Sequence, residues 1–253
     1  MRVLQLLPGL VLVRRDADHL QLGVDPPLRA VLPDHPDVRR LVADLTAGRA
    51  PDTASLAALR ALDALRAAGL VRDLPVPSGV RVALDAADPV RRELAAALGE
   101  CGLTVDDDGP ARLVVVARPG PAVRDDLDAL MRAGTDHLVL QGTPRGVLVG
   151  PYVVPGVTAC LRCVDARLAE RDPRRGLVVD QVARASRGPH FPGDPALTRL
   201  ALTWAAYDLA RLAAGERPVT WSTTVAVEPS LALSRRTWPR HPHCGCAWDQ
   251  LAG

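Results

Sequence analysis

The chain has 253 residues, 48% of them hydrophobic, and a formal net charge of only +2. That suffices for one large or two modest cores and excludes a disordered or fibrous protein, while so balanced a charge supplies no field that demands nucleic acid. All 31 Lys-plus-Arg positions are Arg, so Schiff-base chemistry and a lysine at a nucleotide phosphate are excluded; a coding bias toward Ala, Arg, Leu and Pro accounts for the absence.

The opening MRVLQLLPGLVLVRR is apolar. Pro8-Gly9 interrupts it, and no small-residue cleavage site precedes Arg14 and Arg15, so it does not read as a signal peptide. No apolar run reaches the ~18 residues of a membrane span, and the expected location is the cytoplasm. Residues 10 to 32 form three apolar runs, LVLVR, LQLGV and RAVLP, divided by Asp16-Ala17-Asp18 and Asp25-Pro26-Pro27, which predicts a three-stranded antiparallel meander. Val38, Leu41, Val42 and Leu45 follow at helical spacing after Pro36 and stop at Gly48. A second stripe, Leu56, Leu59, Leu62 and Leu65, stops at Gly69. Pro75, Pro77 and Gly79 then mark a linker, dividing the chain into residues 1–77 and 78–253.

Beyond the linker, strands and helices alternate: VRVAL, a helix from Pro89 to Leu98, LTV, RLVVVA, a helix from Pro121 to Arg132, and HLVLQ. This order predicts an α/β fold with a parallel sheet. A hairpin-like GTPRG leads into VLVGPYVVPG and a cysteine-containing segment. A long helix from about Pro195 to Ala214, then the strands VTWSTTVAV and LALSRR, precede a cysteine-rich end.

Cys160 and Cys163, with Cys244 and Cys246, form two close pairs. Four soft ligands suit tetrahedral Zn²⁺, and each short spacing lets two thiolates face one ion. A redox CxxC, a disulfide or four core cysteines are the competing readings, and none accounts for both pairs. His241 and His243 lie beside the second pair and are alternative ligands, while Cys101 reads as a small buried hydrophobe. The first strand-helix junction, Leu84-Asp85-Ala86-Ala87-Asp88-Pro89, carries no glycine where a dinucleotide or ATP fold would have G-x-G-x-x-G. Asp88 reads there as an N-cap and Pro89 as the first helical residue. Asp106, Asp107 and Asp108 stand where a ribose-binding acid would follow, and read as a solvated turn.

The segments GPYVVPGVTACLRCVDARLAERDP and WPRHPHCGC resemble the ThiF/MoeB-like family related to ubiquitin-activating enzymes, in its peptide-natural-product branch. The resemblance implies a winged helix-turn-helix peptide-recognition domain over residues 1–77, although Gly48 to Leu56 leaves scarcely a turn for its middle helix. It implies a ThiF-like Rossmann-type domain over residues 78–253 with structural Zn²⁺ on Cys160, Cys163, Cys244 and Cys246. It also implies a non-catalytic adaptor that presents the leader region of a ribosomal precursor peptide to a YcaO-type cyclodehydratase, and homodimerisation. The lost glycine loop and lysine speak against ATP activation.

A meander leaves an open edge, so the expected peptide site is Ala30, Val31 and Leu32 with Leu56, Leu59 and Leu62 on the helix alongside; a plain core role for these leucines competes with that reading. Two other functions remain open: an adenylating or sulfur-transfer enzyme of the same fold, and a winged-helix DNA-binding regulator. The second has only Arg60 and Arg66 on its candidate reading helix.

Overall fold

The computed structural model describes residues 3–74, 80–106, 113–186 and 188–246. The chain divides into two compact units, Met1–Val76 and Pro77–Gly253. The proposed linker positions Pro75, Pro77 and Gly79 lie outside the described residues, as do Asp107 and Asp108.

In the first unit, β2 (Leu12–Arg14), β3 (His19–Leu22) and β4 (Ala30–Pro33) pair antiparallel in chain order as the expected meander. Helices α1 (Pro36–Thr46) and α2 (Leu56–Ala67) follow. The hydroxyl of Ser55 caps α2 by accepting the Ala58 N–H at 3.2 Å, satisfying one of the donors that a helix start leaves open. Gly48 and Gly69 end the two helices at φ +64° and +66°, a backbone region that glycine enters at little cost. No helix occupies the stretch between α1 and α2.

The sequence reading missed two strands here. β1 (Val3–Leu6), inside the opening apolar run, pairs antiparallel with β5 (Val71–Leu74), which follows α2 directly. Each gains its ladder only from the other, far along the chain. Leu22, Leu32, Leu41, Leu45, Leu62 and Leu65 are among the buried residues that bind meander and helices into one core.

The second unit is built on a seven-stranded sheet of order β12-β11-β10-β9-β8-β6-β7. β6 (Arg81–Asp85), β7 (Thr104–Val105), β8 (Leu113–Arg118) and β9 (Asp136–Thr143) are parallel. The parallel order expected for the alternating elements holds through β9, and the expected hairpin at GTPRG follows. The two residues Pro144 and Arg145 reverse the chain, and β10 (Gly146–Val153), β11 (Thr223–Val227) and β12 (Ser234–Thr237) continue antiparallel. A parallel return needs a crossover of a dozen or more residues, which so short a turn cannot make.

Strand residues alternate between two cores. Leu113, Val115, Leu138 and Leu140 join α3 (Val90–Glu100) and α7 (Pro195–Ala213) on one face. Val116 and Val139 join α4 (Arg124–Arg132) and α5 (Leu161–Ala169) on the other. Cys101, at the end of α3, is half-buried against the first of these cores, and burial pushes its thiol pKa up. Asp208 on α7 is 2% exposed and accepts the Val219 and Thr220 N–H groups at 2.7 and 3.0 Å, tying that helix to the approach to β11.

Three local expectations need correction. Asp88 does not cap α3: Pro89 occupies the N-cap position with no side-chain bond. The Ala87 and Pro89 carbonyls already accept the Arg91 and Glu93 N–H groups at 3.0 and 3.2 Å, so a turn leads into the helix without a carboxylate. The helix expected from Pro121 begins at Arg124. Finally, the cysteine-containing segment and the residues after it form two helices, α5 and α6 (Arg175–Ala185), that the sequence pattern does not announce. In α6, Val179 and Ala183 are buried while Leu177, Val178 and Val182 are exposed, so apolar residues all round hide the helical period.

His137 on β9 is buried to 1% exposure, and its Nδ1–H donates to the Thr135 carbonyl at 3.0 Å. Burial lowers its pKa, so the unfolded chain binds this proton more readily. The resulting stabilisation is complete above ~6.5, the unfolded value, and is lost as pH falls through the folded pKa. An NMR titration of the imidazole resonance is expected to give a midpoint below that of free histidine; a midpoint at or above it rejects this account.

Candidate functional site

The first unit carries an open strand edge. The Arg15 N–H donates to the His19 carbonyl at 2.9 Å, so on β3 the backbone of His19 and Gln21 faces β2 and that of Leu20 and Leu22 faces β4. In the observed register, Leu20 opposes Leu32 and Leu22 opposes Ala30. Ala30 and Leu32 are therefore bonded to β3, and the N–H and C=O of Val31 point outward at the last strand of the sheet.

Beside that edge lies an open groove of about 450 Å³, lined by Val31, Leu32 and Pro33 from β4 and by Leu56, Arg60 and three alanines from α2. Val31 and Leu56 are exposed by 42% and 61%, and Leu32 is buried. Ala30 and Leu62 belong to the core instead, and Leu59 is exposed but does not line the groove. Ala57, Ala61 and Ala64 were missed by sequence reading. Their spacing of i, i+4 and i+7 puts small side chains on one helix face, where an extended backbone can approach.

In the second unit the two cysteine pairs come together. Cys160 is the N-cap residue of α5, and Cys163 lies in its first turn, so the two thiols share one face at i and i+3. The loop before them is held to the residue preceding β11 by the Ala159 N–H, which donates to the Ser222 hydroxyl at 3.0 Å. The chain after β12 returns through Trp238, which is buried among Leu161, Cys163 and Val164. Its indole N–H donates to the Thr224 hydroxyl at 2.9 Å, and the turn that follows delivers Cys244 and Cys246.

The four Sγ atoms all lie within 4.8 Å of one another. Cys160 is 3.8 Å from Cys163 and 3.4 Å from Cys244, and Cys163 is 3.4 Å from Cys246. These separations are too long for a disulfide. They lie at or just under the ~3.8 Å edge of a sulfur tetrahedron drawn with metal-sulfur bonds of ~2.3 Å. This geometry is able to hold a metal ion.

His241 is not a fifth candidate ligand. Its backbone N–H donates to Cys163 Sγ at 3.3 Å, while its ring Nδ1 accepts the His243 N–H at 3.2 Å and Nε2 lies 3.4 Å from Glu170. Hydrogen bonds from Cys160, Cys244 and Cys246 and the His241 N–H hold the Cys163 pKa down. Cys160, which donates to Cys163 and is buried, is pushed up, and Cys246 is lowered to about 7. Four thiolates cannot share so small and half-buried a space without a cation to neutralise them.

Strand order reverses between β6 and β8, so the crevice outside their C-terminal ends is where an α/β sheet ordinarily receives a nucleotide. Arg118, at the end of β8, spans it. Its guanidinium donates to the Asp85 carbonyl at 2.7 Å and to the Asp85 carboxylate at 2.5 Å. Asp106, in the ribose-acid position, accepts from Arg81 at 2.9 Å. Arg118 escaped sequence reading because its partner is set by strand order, not by chain distance.

No family model matches the sequence, and no curated protein matches it. Solved structures do. The heterocyclase TruD matches with a TM-score of 0.70 and 19% identity, over 98% of this chain and 43% of its own. A heterocyclase in complex with substrate and cofactor matches at 0.66 and 16%, over 98% and 39%. E. coli MccB with AMPCPP and MccA matches at 0.60 and 9%, over 98% and 99%. The chain thus spans less than half of the two heterocyclases and nearly all of MccB. Over nearly its whole length the chain has the fold of the microcin C7 biosynthetic enzyme MccB and of the matched part of the heterocyclase TruD.

Proposed function

We propose that the chain is a non-catalytic adaptor that captures the leader region of a ribosomal precursor peptide and presents it to a YcaO-type cyclodehydratase. The observation that carries this reading is the outward-facing backbone of Val31 beside an apolar groove. A leader adds there as a further strand: main-chain bonds supply affinity, and the groove between β4 and α2 selects alternate side chains. The first unit then acts as a winged-helix recognition domain reduced to two helices. More than half of each matched heterocyclase lies outside the match, and we assign the heterocyclisation step to that portion.

In this reading the four cysteines bind Zn²⁺, the ion that suits four thiolates in a tetrahedron. The metal does no chemistry on the peptide. It fastens the segment after β12 to the start of α5, with all four ligand positions taken.

An adenylating role has one observation in its favour, since MccB has been solved with ATP. Against it, the crevice is bridged by Arg118 and Asp85, and neither a glycine loop nor a lysine is present to hold a triphosphate. Isothermal titration with Mg-ATP is expected to give no saturable heat. Micromolar binding, or pyrophosphate exchange with a peptide, would establish adenylation instead. A DNA-binding role is disfavoured because α2 offers only Arg60 and Arg66, and Arg66 lies beside Asp63.

The reading is tested by panning a displayed library of short random peptides against the full chain, then measuring the selected peptides by fluorescence polarisation. Ordering a flexible segment costs about 2–5 kcal/mol, so micromolar affinity, about −8 kcal/mol, is expected. Selection of no peptide, or of peptides indifferent to changes in the groove, rejects it.

A further inference from the structure

The second unit contains a cavity of about 200 Å³ between the sheet and helices α5 and α6. Leu148, Leu161, Val164, Leu168 and Trp238 give it apolar walls. Most polar groups on those walls are already satisfied. Arg124 and Asp165 hold each other through bonds of 2.6 and 3.0 Å, and the Thr224 hydroxyl takes the Trp238 indole.

Two donors are not satisfied. Gln141 is 6% exposed; its Oε1 accepts the Ala122 N–H at 3.1 Å, and among the described residues its amide NH₂ donates to nothing. Arg175, the first residue of α6, lines the cavity; its Nε is enclosed, and among the described residues its guanidinium has neither a hydrogen-bond nor a carboxylate partner. A guanidinium and an amide that face a cavity with no protein acceptor call for an explanation.

We propose that this cavity binds a small organic monocarboxylate with an apolar body. The charged lining residues are Arg124, Asp165 and Arg175, which sum to one positive charge, and a monoanion neutralises it. Both unsatisfied groups are donors, so the ligand must be an acceptor. An ionised carboxylate is acceptor-only, and its two oxygens match the guanidinium fork; an amide or amine would bring hydrogens with nowhere to go. The volume lies below the ~300–1,000 Å³ of pockets for drug-sized ligands, which limits the body to the size of a single side chain. The site lies wholly in the second unit, and its walls Leu161, Val164 and Trp238 belong to the same core as Cys160 and Cys163.

The test uses the full chain with isotope-labelled arginine, following guanidinium Nε–H resonances by NMR while isocaproate, isocaproamide or inorganic phosphate is added. Isocaproate is expected to move one resonance saturably and to bind at least ~10-fold tighter than the amide, as a charge-assisted hydrogen bond requires. That resonance is absent in Arg175→Met, and the binding is lost with it. Equal binding of acid and amide, tighter binding of phosphate, no saturable shift, or unchanged affinity in a folded Arg175→Met variant would each overturn the proposal. Should Arg175→Met not fold, the acid-amide comparison on the wild-type protein decides the matter, with Gln141→Met expected to weaken isocaproate binding several-fold.

Discussion

Replacing Cys160 and Cys244 together by serine is expected to abolish stoichiometric zinc and to lower the melting temperature by about 10 °C, the shift that ~3–5 kcal/mol produces in a domain of this size. The two residues come from different pairs and lie 3.4 Å apart, so the double change removes half of the donor set. Wild-type protein should carry one zinc per chain by metal analysis. Binding must drive protons off the thiols, because Cys160 is held protonated by its bond to Cys163 and by burial. Zinc affinity therefore falls as pH falls, and a chelator strips the protein more readily in acid than in base. The effect is smaller than in an isolated zinc finger, because this unit has cores of its own on both faces of the sheet. Zinc content unchanged in the double variant would remove the metal assignment, and metal loss with no change in melting would remove its structural role.

Val31→Pro is expected to weaken a selected leader-like peptide by at least ~10-fold while leaving the first unit folded, since it removes an outward donor and places a ring against the incoming strand. Proline is tolerated at an edge whose N–H faces solvent. The register sends the Val31 N–H outward and those of Ala30 and Leu32 to β3, so the substitution leaves the meander's own ladder intact. Leu32→Pro is the contrasting control: it takes a donor out of the ladder with β3 and should unfold the unit. Fluorescence polarisation reads the affinity and circular dichroism the fold. A folded Val31→Pro variant that binds as tightly as wild type would exclude strand addition at this edge. Leu56→Asp, placing a charge on the groove wall without touching the core, should cost a comparable factor for a peptide with an apolar side chain there.

What the sequence determined by itself was local. Gly48 and Gly69 mark helix ends because a positive φ is costly for any residue with a Cβ. The meander, the alternation of strands with helices, and the facing thiols of Cys160 and Cys163 follow from periods of two and 3.6 residues, which neighbouring side chains write directly into the chain. Tertiary structure decided whatever depends on partners far along the chain. β1 becomes a strand only because β5 lies beside it, and Arg118 closes on Asp85 only because β8 is the neighbour of β6. Cys244 meets Cys160 across 84 residues because the chain after β12 is anchored by Trp238. Within the stripe Leu56, Leu59 and Leu62, only packing settles that Leu62 is core while Leu56 lines an open groove. Spacing encodes which residues share a face, whereas strand order and the depth of burial on that face are set by the cooperative packing of distant elements.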